Sequence, residues 1–186
     1  QEISRAKCGI IKPECQVVTS PEQHADALAV IMETAAQKGC TVRIASQSNA
    51  AFTSISFGNL KFDYDQMRIS LPLTGSFQRS NALTAIEAVR AVAQFGFNVD
   101  KLQMQKGLGK AYMPCRQEVL GRNPFVMVDG AHNPQGADAL ADTLSHHSID
   151  GVTLVIGMLA DKDTKYFVNK LCPFCKRVIC CTLDNP

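Results

Sequence analysis

The stretch "VMVDGAHNPQGADAL", residues 126–140, runs from an apolar segment into a helix through a short polar turn. Val126, Met127 and Val128 read as a strand buried on both faces. Asn133 is a favourable N-cap, and Pro134 suits the first helical position, where its missing N–H has no partner to lose. Ala137, Leu140, Ala141 and Leu144 then recur with helical period, giving one apolar face. Asp129 and His132 therefore fall in a strand-to-helix turn, beside free N–H groups able to receive an anion. In open α/β sheets, ligands bind in the crevice at the carboxyl ends of the strands.

Outward from this stretch, strand 124–128, helix 134–146, strand 152–156, helix 164–171 and strand 177–182 alternate as an open α/β unit. The first half begins the same way. "QVVTS" (16–20) reads as a strand, and residues 21–39 as a helix with Leu28, Ile31 and Ala35 on one face and Gly39 as its stop. "TVRIAS" then completes a β–α–β unit with parallel pairing. Between residues 52 and 73 the period changes to two: Ile55, Phe57, Leu60, Phe62, Tyr64, Ile69, Leu71 and Leu73. That is the mark of antiparallel strands with one wet face, with Gly58-Asn59 as the first turn. A helix is expected from Asn81 to Phe95, ended by Gly96, and a shorter one from about Val99 to Lys110. The restart of the pattern places a boundary at 112–116.

The chain has 186 residues, 46% of them hydrophobic, and a net charge of +2 from 19 Lys+Arg and 17 Asp+Glu. No basic face speaks for a nucleic-acid partner, and no apolar run approaches the roughly 20 residues of a membrane span. The opening "QEISRAKCGI" is not a signal peptide and reads as a helix begun part-way, so a fragment of a longer protein is expected. Of the eight cysteines, Cys8, Cys40, Cys180 and Cys181 lie among apolar or small residues, as free thiols do. "CPFC" (172–175) lacks a second Cys/His pair at zinc spacing and a strand before it, so reduced, cytoplasmic thiols are expected. Neither G-x-x-x-x-G-K-[ST] nor G-x-G-x-x-G occurs.

Four separated pieces carry the chemistry: "GSFQRSNALTAIEAV" (75–89), "MPCRQEV" (113–119), "DGAHNP" (129–134) and "GMLADKD" (157–163). With the opening "AKCGIIKPECQVVT", their order and spacing resemble the folylpolyglutamate synthase/dihydrofolate synthase family of the Mur ligase superfamily. The resemblance covers essentially the whole chain. It implies an α/β fold, in which residues 1–111 form the end of a Mur-ligase-like central ATPase domain and 112–116 a linker. Residues 117–186 would form a truncated, Rossmann-like, mostly parallel C-terminal domain, the glutamate-ligase domain. The implied activity is an ATP- and Mg2+-dependent amide ligation, in which a carboxylate of folate or dihydropteroate becomes an acyl phosphate that the amine of glutamate attacks. Such chemistry asks for charge stabilisation around a phosphoryl group rather than a covalent enzyme intermediate. The full-length protein would be a cytoplasmic monomer with small-molecule substrates only.

Residue by residue, the resemblance gives Asn81, and less directly Gln78, a nucleotide contact; read alone, each is a polar residue at a helix start. It gives Arg116 the nucleotide phosphates, which its fork suits, and Asp129 the ribose hydroxyls. Without it, Arg116 is a surface charge and Asp129 a turn former. His132 is either a phosphate-side catalytic contact or a histidine that orders its turn. Lys7 matches the family lysine that becomes carbamylated near the metal, a change that needs the unprotonated amine. Asp161, Lys162 and Asp163 match a recurrent turn. Phe77 stands where the family has histidine, which bears on nucleotide handling. Two other readings remain: an inactive nucleotide-binding remnant, and a Mur-type ligase of a peptidoglycan precursor.

Overall fold

Alternation in "QVVT" buries Val17 and Thr19 on one side of β1 (Gln16–Thr19), which follows α1 (Glu2–Cys8). The computed structural model describes residues 2–48 and 50–183. α2 (Ala25–Gln37) leads to β2 (Thr41–Ile44), which pairs parallel with β1 from Gln16↔Thr41 to Thr19↔Ile44. The expected β–α–β unit is present, with its helix starting later than Pro21. Gly39 ends the helix at φ 65°, and the Cys40 N–H closes back on the Ala35 carbonyl at 2.8 Å. This left-handed closure satisfies carbonyls the helix leaves open. Cys8, Ile11, Val17, Val30 and Ala35 form the core beneath it, with Ile31 and Val42 packed alongside.

Period two then takes over. β3 (Ala50–Ser56), β4 (Asn59–Tyr64) and β5 (Met67–Leu71) form a three-stranded sheet in that order. Neighbouring strands joined by two residues can only be antiparallel. Leu60, Phe62, Tyr64, Met67, Ile69 and Leu71 are buried, as the alternation demands. Asp65 and Gln66 turn the second hairpin with φ of 47° and 63°, the twist that matches flanking strands. α3 (Gln78–Ala91) starts three residues earlier than expected, and a short 3-10 segment carries it to Gly96 at φ 88°. It packs against β1 and is tied to β4 by Tyr64 Oη donating to Glu87 at 3.0 Å. α4 (Lys101–Leu108) opens on a complete capping box between Asp100 and Gln103.

The run after Arg116 is a strand, β6 (Glu118–Arg122), which folds back antiparallel on β7 (Phe125–Val128). α5 (Pro134–His146), β8 (Val152–Ile156), α6 (Thr164–Leu171) and β9 (Cys175–Cys180) follow, and β8 and β9 pair parallel. The α/β class expected from the sequence is therefore the fold, with parallel pairs in both halves. α5 and α6 share a core of Ala137, Leu140, Ala141, Leu144, Phe167 and Leu171, against which Met127, Leu154 and Ile156 pack. Asp138 holds the pair from outside, accepting from Lys170 at 2.8 Å and Tyr166 at 2.9 Å.

The chain divides into two compact units. One comprises Gln1–Thr53, Lys61–Ser70 and Gln78–Lys110; the other comprises Ser54–Leu60, Leu71–Phe77 and Ala111–Pro186. Side chains explain why the second unit takes in two early segments. Phe57 stacks on His147 with ring centroids 4.1 Å apart and meets Phe125 at 4.8 Å. Ser76 donates to Asp142 at 2.9 Å, and Arg122 donates to the Phe57 carbonyl at 3.3 Å. Among the described residues no helix is long and apolar enough to cross a membrane.

Candidate functional site: the turn between β7 and α5

Asp129 follows β7 directly, as the sequence places it. Its Oδ2 accepts from the Gln117 N–H at 2.9 Å and its Oδ1 from the Ala131 N–H at 2.5 Å. The Gly130 N–H donates to the Cys115 carbonyl at 2.7 Å, so segments 115–117 and 129–131 are stitched together. Burial pushes the half-buried carboxyl up from the ordinary aspartate range. The N–H groups of Ala131 and Gln117, and the Arg116 charge, pull it the other way.

Gln117 was not singled out in the sequence. It is buried to 1% exposure at φ 48°, accepting from Thr143 at 2.8 Å and donating to the Ala139 carbonyl at 3.3 Å. It thus pins α5 to the turn that carries Arg116. Gly75, at φ 98°, makes room for this: a Cβ there would strike the Phe77 ring and approach Gln117 Oε1 to 2.9 Å. Phe77 packs its ring over Gly75.

Arg116 is exposed and lines a groove of about 500 Å³ with Thr74, Tyr112, Glu118 and Arg122. Glu118 is committed to structure, accepting from the Cys115 N–H at 2.9 Å and Tyr112 Oη at 2.8 Å. The Cys115 bond first, then Tyr112, hold its carboxyl below the usual range. His132 is exposed, its Nδ1 2.9 Å from the Gly130 carbonyl, which leaves Nε2 outward. Asn133 caps α5 by accepting from Gly136 N at 2.8 Å, so the reading of Asn133 and Pro134 holds. In the turn after β8, Lys162 pairs with Asp161 at 2.7 Å and Asp163 caps α6 by accepting from Tyr166 N at 3.0 Å. Asp163 thereby acquires a structural task that the sequence did not reveal.

In the other unit, Gln78 is buried and accepts from Asn81 Nδ2 at 2.9 Å, with Asn81 exposed in the first turn of α3. Next to them Arg79 donates to Gln47 at 3.2 Å and Gln47 donates to Glu22, at the carboxyl ends of β1 and β2. The pattern gave no hint of this cluster, since its bonded pairs lie 25 and 32 residues apart. Lys7 is exposed in the last turn of α1.

A strand ending in an acid, an arginine turn beside it and a capped helix N-terminus define the class: residues 115–186 match the model of the Mur ligase, glutamate ligase domain. A folylpolyglutamate synthase of Lacticaseibacillus casei is 30% identical over 176 residues, covering 91% of this chain and 41% of that protein. A dihydrofolate synthase/folylpolyglutamate synthase of Escherichia coli is 31% identical over 166 residues, covering 88% of this chain and 37% of its own length. The crystal structure of Mycobacterium tuberculosis folylpolyglutamate synthase with ADP and AMPPCP superposes on 100% of this chain and 44% of that one, with TM-score 0.83 and 28% identity. The chain belongs to the folylpolyglutamate synthase/dihydrofolate synthase family. It spans about two fifths of the length of these relatives.

Proposed function

We propose that this chain is the nucleotide-side portion of an ATP-dependent ligase that adds L-glutamate to folate or dihydropteroate through an acyl phosphate, with Mg2+ as the companion of ATP. The observation that carries this is the stitching of the segment with the exposed Arg116 to the turn with the Asp129 carboxylate, which leads into the N-terminus of α5. Such a set fits an anionic nucleotide: a guanidinium fork and the positive end of a helix suit phosphate oxygens. The remaining lone pairs of Asp129 suit ribose hydroxyls. His132 is proposed as a contact on the phosphate side, and Asn81 with Gln78 would contact the nucleotide from α3. Lys7 is proposed as the carbamylated lysine. In this reading residues 1–111 end the ATPase domain, 112–116 link, and 117–186 form the glutamate-ligase domain. The inactive-remnant reading rests on the missing phosphate-loop motif and on Phe77, where the resemblance implies histidine.

The chain lacks a phosphate-loop motif, so it should bind ATP weakly and release no ADP when mixed with Mg2+, glutamate and folate. Arg116→Ala should weaken nucleotide binding about ten- to a hundredfold, the loss of a charge-assisted contact. Calorimetric titration measures it. Equal affinity in a folded Arg116→Ala protein, or glutamate-dependent ADP release by the chain alone, would overturn this assignment.

A further inference from the structure

Cys15 and Cys40 each stand one residue before a strand, β1 and β2, whose parallel register opens with Gln16↔Thr41. Continued one step back, that register makes the two cysteines lateral neighbours. Strands lie about 4.8 Å apart, within the roughly 4.4–6.8 Å Cα separation a disulfide accepts. The sulfurs are 3.7 Å apart, in contact but unbonded. Both residues are partly exposed, so a small reagent can reach them. The Cys40 backbone is fixed by its N–H bond to Ala35, and its Sγ donates to the Lys12 carbonyl at 3.0 Å. On the same side Lys38 Nζ donates to the Ile11 carbonyl at 2.6 Å.

From this juxtaposition we propose that Cys15 and Cys40 are a reversible thiol–disulfide exchange site, oxidised by low-molecular-weight disulfides and clamping segment 9–15 to the end of α2. The Cys40 Sγ is held by its hydrogen bond to the Lys12 carbonyl, so Cys15 makes the first attack; desolvation, then the hydrogen bond with Cys15, also push the Cys40 thiol up. The Cys15 sulfur attacks one sulfur of a disulfide R–S–S–R, forming Cys15–S–S–R and releasing one RS−, which takes up the proton Cys15 lost. Cys40 then gives up its proton and attacks the Cys15 sulfur, expelling the second RS−. Two protein thiols are oxidised, and one R–S–S–R is reduced to two R–SH. A closed loop of this kind restricts the unfolded chain, so oxidation should also raise the melting temperature. The proposal is independent of the ligase reading.

The test is incubation of the chain in glutathione buffers of stepped oxidised fraction, followed by alkylation and peptide mapping. Cleavage after Glu14 separates Cys15 from Cys8. The expected product is a Cys15–Cys40 peptide pair two hydrogens lighter than its parts, formed before any other link, reversed by dithiothreitol, and accompanied by a higher melting temperature. Cys15→Ser should abolish both the link and the melting shift, leaving Cys40 alkylatable or carrying glutathione. Free Cys15 and Cys40 at oxidising poise, or links scattered among all eight cysteines, would overturn it.

Discussion

The Asp129 carboxylate has four lone-pair directions, and the fold uses one on each oxygen, for the N–H groups of Gln117 and Ala131. The turn-forming role is thus real, and among the described residues those two N–H groups are the hydrogen-bond donors to the carboxylate. His147 shows the opposite economy. It stacks on Phe57 and meets His146 edge-on at 5.0 Å, and its Nε2 is buried without a partner among the described residues. Burial first, and the charge of His146 second, push its pKa below the usual value. A depressed histidine pKa means that the folded state favours the neutral ring. Its contribution to stability is complete above about pH 6.5 and is lost as pH falls through the lowered folded value. Melting followed by circular dichroism should therefore drop between pH 7 and pH 5, and His147→Phe should flatten that slope. An unchanged slope in the variant would assign the pH dependence to other groups.

At the scale of elements, periodicity made the strands and helices readable, and caps made their ends readable where the cap lies next in sequence. Asn133 and Pro134 before α5, and Gly39 and Gly96 at helix ends, are local signals of that sort. The start of α6 needed Asp163, which was legible only as a charged turn. Contacts between distant residues were not legible. Gln117 reaches Ala139 and Thr143, 22 and 26 residues on, and takes a left-handed backbone that glutamine does not advertise. Gln117→Ala should loosen α5 by about 1–3 kcal/mol, because the hydrogen bonds that Gln117 makes with the Thr143 hydroxyl and the Ala139 carbonyl are lost and a void opens. Chemical denaturation checks this; a loss under about 0.5 kcal/mol, the size of an ordinary surface change, would mean that Gln117 does not hold the helix.

For the whole molecule, the five motifs in register gave the family; the pattern placed a boundary at 112–116, and the second unit's main run is Ala111–Pro186. The early segments Ser54–Leu60 and Leu71–Phe77 joined that unit through an aromatic stack and single hydrogen bonds, which no periodic pattern encodes. The paired segments that carry Arg116 and Asp129 are proposed to receive nucleotide phosphate. The most direct measurement is amide chemical-shift mapping of the isotope-labelled 186-residue chain titrated with AMPPCP and Mg2+. The amides of Cys115–Gln117 and Gly130–Gly136 should move most within their unit, and those shifts should collapse in Arg116→Ala. Stationary amides there, in a chain still folded and with shifts absent or confined to other surfaces, would contradict it.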